Sequence, residues 1–347
     1  MTNQLYQTII PTKSVGPIAI NFSQKKESFL VPLATYEKPL FYTVSRGAKV
    51  TRQIGGINAT IIKSCMTRSV ILEAQNAKDA YELSRYLEEK STVEYFQEFV
   101  TKTSAYAKLL SITTKIIAKI IYIRFTFDTK EASGHNMATK AADYIIDHIL
   151  KDNTDFSYIS ISGNICCDKK NSSINSILGR GHSVIIEGEI SSEICRDTLR
   201  TTPEKIVELN NKKNLIGSII AGGVQTANAH FANMMAAFYL ATGQDVANIV
   251  EGSQGITYAE VTKNQNLYFS VSCPNIIIGT IGNGKDLSHV LQNLKNIECY
   301  NIDNPDGSNA KKLAQICASA IWCGELSLLA AITNKGELVA SHIKIER

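Results

Sequence analysis

The run Ile161-Ser162-Gly163-Asn164-Ile165-Cys166-Cys167-Asp168-Lys169-Lys170 sets an apolar strand end, a glycine turn and a Ser/Asn pair directly before an acid and two adjacent lysines. A strand that ends in a polar loop holds the loop's groups in fixed positions, which reactive sites require. Two neighbouring ammonium groups repel each other, so a site that uses both must bring anionic substrate oxygens or a carboxylate such as Asp168 to them. A solvated turn is the plain alternative for an isolated Lys-Lys pair, and the rest of the chain has to decide between the two. A lysine is a compact charge that can polarise a carbonyl as an oxyanion develops. A carboxyl with a raised pKa can donate a proton near neutral pH, and a histidine is a natural acid for a departing thiolate.

Other residues of these types are scattered along the chain. Glu37 closes Val31-Pro32-Leu33-Ala34-Thr35-Tyr36-Glu37, Asp245 follows Gly243-Gln244, and Ser341-His342 lies near the C-terminus. Singly they read as a loop charge, a cap and a solvated tail residue. Arg68 follows Met66-Thr67 and offers the two-pronged geometry that clamps a carboxylate. In Asn228-Ala229-His230-Phe231-Ala232-Asn233, a helix would put His230 and Asn233 on one face. Gly279 to Lys285 fits the start of a phosphate-binding GxxxxGK loop, but Asp286 stands where a Ser or Thr would bind magnesium. No GxGxxG fingerprint opens a βαβ unit, so a Rossmann fold is not expected.

These groups need a scaffold. With 347 residues, 44% of them hydrophobic, the chain can bury a large core and is expected to form two domains. A net charge of +4 with no basic block and 7% aromatic residues disfavours nucleic acid and suits an anionic small ligand. The eight cysteines show no CxxC pair and no zinc spacing, so reduced thiols and no metal are expected. Met1 is followed by no signal-peptide pattern. The greasiest stretch, about 109–127, is broken by Lys115, Lys119 and Arg124, so a cytoplasmic protein without a membrane span is expected.

From about Ser69 to Ser160 the pattern predicts strand, helix, strand, strand, helix, strand: Val70–Leu72, a helix over 78–101 with Tyr81, Leu83, Tyr86 and Leu87 on its apolar side, strands near 107–113 and 118–127, a helix over 136–151 and a strand over 156–160. That order is the split βαβ, ferredoxin-like topology. The expected fold class is α+β, with 1–69 and 161–347 forming a large helix-rich domain around a long buried helix and 70–160 inserted as a small domain. Ala221–Thr242 and Ser308–Ala331 are predicted as long helices, the first buried on nearly every face. Strands are predicted near 267–272 and 275–280, and the stretch up to Leu40 as irregular.

Taken together and in order, these segments resemble the 3-hydroxy-3-methylglutaryl-CoA (HMG-CoA) reductases. The opening run is similar to the family's catalytic loop, and the segment ending at Glu37 to its VPLATTEG segment. Met66-Thr67-Arg68 matches MTR, Asn211 to Ser218 is close to NKNLVGS, Asn228 to Asn233 matches NAHAAN, and Gly324-Glu325-Leu326-Ser327-Leu328 matches the GELSL helix, read as structural. The resemblance implies reduction of HMG-CoA to mevalonate and CoA by two hydride transfers through a hemithioacetal and mevaldehyde, without a metal. It implies Lys169 as oxyanion stabiliser, Glu37 as proton donor, Asp245 as the carboxylate coupling them, and His342 as the acid for coenzyme A. The HMG group would meet Arg68, Ser162, Asn164, Asp168, Lys170, Lys213 and Asn233, with His230 either in the site or in the core. Thr43, Ser45, Arg46 and Lys49 would serve coenzyme A.

The cofactor segment, Asp-Ala-Met-Gly-Met-Asn-Met in the family, reads Glu131-Ala132-Ser133-Gly134-His135-Asn136-Met137 here. The resemblance implies that Glu131, Ser133, Gly134, His135, Asn136 and Met137 bind the dinucleotide, with Ser104. The family's Ser-Arg pair appears as Ser104-Ala105, so NADPH is expected with NADH as the alternative, and Lys102, Lys108 and His135 are candidates for the missing charge. Asn283 interrupts the family's glycine run, Lys38-Pro39 replaces small residues after Glu37, and the N-terminal ENVIG motif is absent. A homodimer or larger even assembly with the site between subunits is implied. The rival reading is a catalytically impaired paralogue that binds acyl-CoA or dinucleotide as a sensor or structural subunit.

Overall fold

Residues 8–23, 25–300 and 306–346 are described by the computed structural model, apart from the side chains of Ser341, His342 and 344–346. The N-terminal stretch, expected to be irregular, is a hairpin. Strand β1 (Thr12–Asn21) pairs antiparallel with β2 (Lys26–Ala34), burying Val15, Ile18 and Ile20 against Phe29, Val31 and Leu33. Gly16-Pro17 hides this in the sequence. The register shifts between Val15 and Ile18, so an irregularity in the ladder absorbs the proline, which has no N–H to give.

Helix α1 (Pro39–Gln53) opens with proline at a position where its missing N–H is not needed, and leads into β3 (Ile57–Glu73). Up to Cys65 this strand pairs with β7 (below), and from Met66 it pairs with β5. The helix expected over 78–101 is two: α2 (Ala77–Glu88), whose first turn is capped by the Asn76 side chain, and α3 (Lys90–Thr103), separated by the extended backbone of Glu89. Leu83 and Leu87 are buried, whereas Tyr81 and Tyr86 are exposed. Strands β4 (Lys108–Ile117) and β5 (Ile120–Asp128), helix α4 (His135–Asp152) and strand β6 (Ser157–Ser160) follow close to expectation. In space the strands run β4-β5-β3-β6, every neighbouring pair antiparallel. Helix α4 lays Ala138, Ala141, Ala142, Ile145, Ile146 and Ile149 against them.

Beyond lie β7 (Gly181–Ile190), the short β8 (Thr226–Ala227), α5 (Phe231–Ala241), β9 (Gly255–Val261), β10 (Leu267–Ile276), α6 (Ser308–Ile332) and α7 (Glu337–Glu346). The sheet continues through β3 as β2-β1-β3-β7-β10-β9-β8, so the fold is mixed α+β around one mixed sheet, and its larger part is richer in strand than expected. The helix foreseen over 221–242 begins only at Phe231. Gly222 takes a positive φ, and the Asn228 side chain accepts from the Phe231 N–H while donating to Ser253 and Gly255 carbonyls, which keeps 221–230 out of the helix. His230 is therefore the residue that precedes α5, not a member of its face.

Helix α6 is buried on almost every side, with Trp322 donating to the Phe269 carbonyl. It is the one described helix long and apolar enough to cross a membrane by length and composition, and 83% of its apolar window is buried inside the protein. All eight cysteines are free thiols. Where α1 crosses α6, a Cβ on Gly47 would stand 2.2 Å from the Cys323 carbonyl oxygen, so glycine is needed for the two backbones to touch. Gly47→Ala must therefore push a core helix aside. It is expected to cost about 1–3 kcal/mol, read as a lower urea midpoint; an unchanged midpoint would contradict so close a crossing.

Candidate active site

A cleft of about 690 Å³ opens between the turn into α4, the loop after β6, the turn after α5 and the loop after β10. Arg68, Ser133, Gly134, His135, Asn136, Met137, Asp168, Lys169 and Asp245 line it. At its centre the Lys169 Nζ lies 2.8 Å from Asp245 Oδ2, both side chains about half exposed. The hydrogen bond to Asp245 raises the Lys169 ammonium above its ordinary value against a smaller opposing effect of burial. Burial pushes Asp245 up, but the Lys169 bond and the Ala247 N–H outweigh it and leave the carboxyl below its usual range. Both groups are therefore charged at neutral pH.

The loop that carries Lys169 is held in an uncommon backbone. Asn164, Cys167 and Lys169 all have positive φ. Such a conformation persists only where neighbours enforce it. Gly163 N–H bonds the Ser69 hydroxyl and carbonyl on β3, and Lys169 N–H donates to Glu251 Oε1 at 3.1 Å. Asp168 receives Arg180 Nη2 at 2.7 Å, with His135 Nε2 at 3.4 Å and Asn248 Nδ2 at 3.5 Å. Arg180 is buried, and its other nitrogen donates to the Thr67 carbonyl at 2.6 Å. Burial raises Asp168, yet His135 and Arg180 together hold its carboxyl well below the usual carboxylate range. Burial raises Glu251, which also accepts from Asn248.

Sequence reasoning missed Arg180, Asn248 and Glu251; the one available signal was an arginine between two glycines, Gly179 and Gly181, in apolar surroundings. Ser162 and Asn164 belong to the same loop, Asn164 with its side chain exposed and Ser162 bonded through its N–H to Ser160. Lys170 Nζ folds back onto the Asp168 carbonyl.

Glu131 and Ser104, expected at the dinucleotide, are not among the residues lining the cleft. The Glu131 carboxylate is buried and accepts from the N–H groups of Gly307, Asn309 and Ala310 and from the Thr280 hydroxyl, which caps the N-terminus of α6. Ser104 lies outside the cleft, its hydroxyl accepting from the Tyr106 N–H.

A second polar group of residues lies on other elements. Lys213 sits in a π-helical stretch, Asn210–Gly217, and donates to Asn214 Oδ1. The buried Glu325 carboxylate, expected to be merely structural, accepts from Asn214, Thr257 and the N–H groups of Ala229 and His230. His230 Nε2 lies 2.9 Å from the Gly324 carbonyl, so it carries the proton and leaves Nδ1 toward Asn233 at 3.4 Å. Glu37 is exposed just before α1.

Neither Glu37, Lys213, His230 nor Asn233 is among the described residues lining the cleft. The Arg46 guanidinium bonds Ser327 and Glu337, and the Thr43 and Ser45 hydroxyls bond carbonyls of α1, so of the four residues expected to serve coenzyme A only Lys49 stands exposed. His342 lies in α7, with its side chain outside the described residues.

Asp168→Asn would leave Arg180 buried beside a neutral amide, at an expected cost of about 2–3 kcal/mol at neutral pH. Because the folded carboxyl is depressed, its stabilisation is complete above the unfolded value of about 3.9 and is lost as pH falls below it. Urea midpoints measured from pH 7 to 3 should fall less steeply at the acid end for this variant than for the unmodified protein; parallel curves would contradict the ion pair.

The hydroxymethylglutaryl-coenzyme A reductase family model matches residues 3–347. The 3-hydroxy-3-methylglutaryl-coenzyme A reductase of Pyrococcus horikoshii is 42% identical over 97% of this chain and 81% of its own length. The enzyme of the same name from Aeropyrum pernix is 40% identical over 96% of this chain and 78% of its own. Among solved structures, the class II 3-hydroxy-3-methylglutaryl-CoA reductase of Streptococcus pneumoniae bound to NADPH superposes with a TM-score of 0.77 over 96% of this chain and 88% of that one, at 18% identity, a likeness of fold. With its whole length matched by the family model and relatives near 40% identity, the chain belongs to the hydroxymethylglutaryl-coenzyme A reductase family.

Proposed function

We propose that the protein reduces HMG-CoA to mevalonate and coenzyme A with NADPH, the nucleotide bound by the pneumococcal relative. The observation that carries this reading is the Lys169–Asp245 pair at 2.8 Å in a cleft that also holds the turn into α4. When bound, NADPH would supply one hydride to the thioester carbon and, after exchange of the spent nucleotide, a second NADPH would supply one to the aldehyde carbon. Lys169 donates to the carbonyl oxygen as negative charge develops there, and Asp245 keeps that ammonium protonated and aimed. The residues lining the cleft suit a dinucleotide: α4 begins after Gly134 with no side-chain cap, so its first N–H groups are available to phosphate oxygens. Glu37 is the proton donor to the alkoxide and His342 the acid for the coenzyme A thiolate. Arg68 clamps the HMG carboxylate.

Glu37, Lys213, His230 and Asn233 lie on other elements than the walls of this cleft, which supports a site completed between two subunits of a homodimer. In that arrangement one subunit supplies Lys169 and Asp245, and its partner supplies the HMG-binding group. The antiparallel order β4-β5-β3-β6, with an apolar cluster separate from that of the large sheet, supports an inserted ferredoxin-like NAD(P)-binding unit over 70–160 and a substrate unit over 1–69 and 161–347.

Oxidation of NADPH, and of NADH in parallel, in the presence of HMG-CoA tests the activity. Lys169→Ala should lower kcat by about 10²–10³-fold, and loss of less than threefold would sink the assignment. Mixing Glu37→Gln and Lys169→Ala chains, each inactive alone, should restore part of the activity through mixed dimers with one intact site. A mixture as inactive as its parents would place the whole site in one chain.

A further inference from the structure

One short segment, 245–254, holds Lys169 at two places. Asp245 takes its ammonium at 2.8 Å, and Glu251 takes its main-chain N–H through Oε1 at 3.1 Å. Between those two acids the chain is tightly wound. Asp245 accepts from the Ala247 N–H, a tight turn runs over Val246–Asn248, and a helical turn follows over Ile249–Gly252. Asn248 donates to the same Glu251 oxygen at 2.9 Å. Beyond Glu251, Gln254 grips the far end of the Lys169 loop, donating to the Ser172 carbonyl at 3.0 Å and accepting from the Ser172 N–H.

Glu251 has no part in the chemistry assigned above, and a carboxyl is unfavourable where it stands. Its side chain is wholly buried, burial raises its pKa, and Oε2 has no hydrogen-bond partner among the described residues. A buried cation would account for it, but the nearest, Arg180, stands 3.9 Å away at Nε and gives its hydrogen bonds to Asp168 and Thr67. What Glu251 does bond is the Lys169 N–H, and that is the one main-chain hydrogen bond of Lys169 among the described residues. Lys169 has a φ of 55°, a conformation that a residue bearing a Cβ abandons unless a neighbour enforces it. Releasing the N–H would let this peptide turn and carry the ammonium away from Asp245.

We propose that Glu251 is the positioning residue of Lys169, fixing the main chain of the lysine whose ammonium Asp245 holds. The proposal rests on the reductase reading. Both ends of one lysine are then set by one segment, and the distance between them cannot drift. Glu251 is not placed against substrate and acts only through Lys169. The acceptor it offers is a carbonyl-type oxygen, which a carboxylate, a carboxylic acid and an amide all possess. Its role is therefore one of shape, and an amide of the same length can fill it.

Steady-state oxidation of NADPH with HMG-CoA by the full-length protein, together with calorimetric titration of NADPH, tests this. Glu251→Met fills the same space without an acceptor. It should lower kcat about 10–100-fold, with the KM for HMG-CoA and the Kd for NADPH changed less than about threefold. Glu251→Gln should recover most of the lost kcat. Replacing Lys169 by its α-hydroxy analogue turns its amide into an ester and deletes the N–H alone. That ester should be as slow as Glu251→Met, and it decides the matter if Glu251→Met loses its near-ultraviolet circular dichroism. Full activity of the ester, equal losses in the Met and Gln variants, or a rise in KM and Kd as large as the fall in kcat would each overturn the proposal. An unmodified protein that does not oxidise NADPH with HMG-CoA would bring down the reductase reading and this assignment with it. An active enzyme indifferent to Glu251 and to the ester would bring down this assignment alone.

Discussion

The carboxylate of Glu131 on the N-terminus of α6 is the contact on which the rest of the arrangement depends. Three backbone N–H groups and the Thr280 hydroxyl converge on it in a buried place. A negative charge there meets the positive end of the helix dipole, and charge-assisted hydrogen bonds of this kind are stronger than neutral ones. The same residue's backbone carbonyl holds Thr280, so one amino acid joins the turn into α4, the loop after β10 and the central helix. Further along α6, the Glu325 carboxylate gathers Asn214, Thr257, Ala229 and His230. Two buried acids on or against one helix thus register the cleft and the Lys213–His230 group relative to each other.

The Ile161–Lys170 loop obeys the same logic with the charges reversed. Arg180 is a buried cation, and burying it is tolerable because Asp168 and the Thr67 carbonyl take its two terminal nitrogens and the Glu251 carboxylate lies 3.9 Å from its Nε. Asp168 is thereby turned inward, and the next residue, Lys169, is turned outward with a positive φ. Adjacent side chains in an ordinary strand would also point oppositely, but here the direction is set by an ion pair, and Lys169 is left free to meet Asp245 in the cleft.

Much of this was legible in the residues. The 3.6-residue spacing of alanines and isoleucines located α4, runs rich in strand-forming residues located β4 and β5, and ordered segments identified the family. Cysteine spacing gave no framework, and none forms. The misses share a cause: side chains whose partners are far along the chain. The stretch to Leu40 looked irregular because a ladder irregularity that accommodates Pro17 is not written in it, and 221–230 looked helical until Asn228 bonded residues near 253. Glu131, expected at the dinucleotide, instead bonds residues near 307 that its own segment does not announce.

The strand β3 carries one last consequence. Its 17 residues run unbroken from a ladder with β7 into a ladder with β5, so one rod of backbone belongs to both apolar clusters. Two bodies joined by a loop can swing independently; two bodies sharing a strand transmit torque. A twist of the α4 side about that strand has to be taken up where the chain crosses back, after β6, and that crossing is the Ile161–Lys170 loop. The Gly163 N–H bonds to Ser69 tie that loop back onto β3, so the position of Lys169 is referred to the strand common to both clusters.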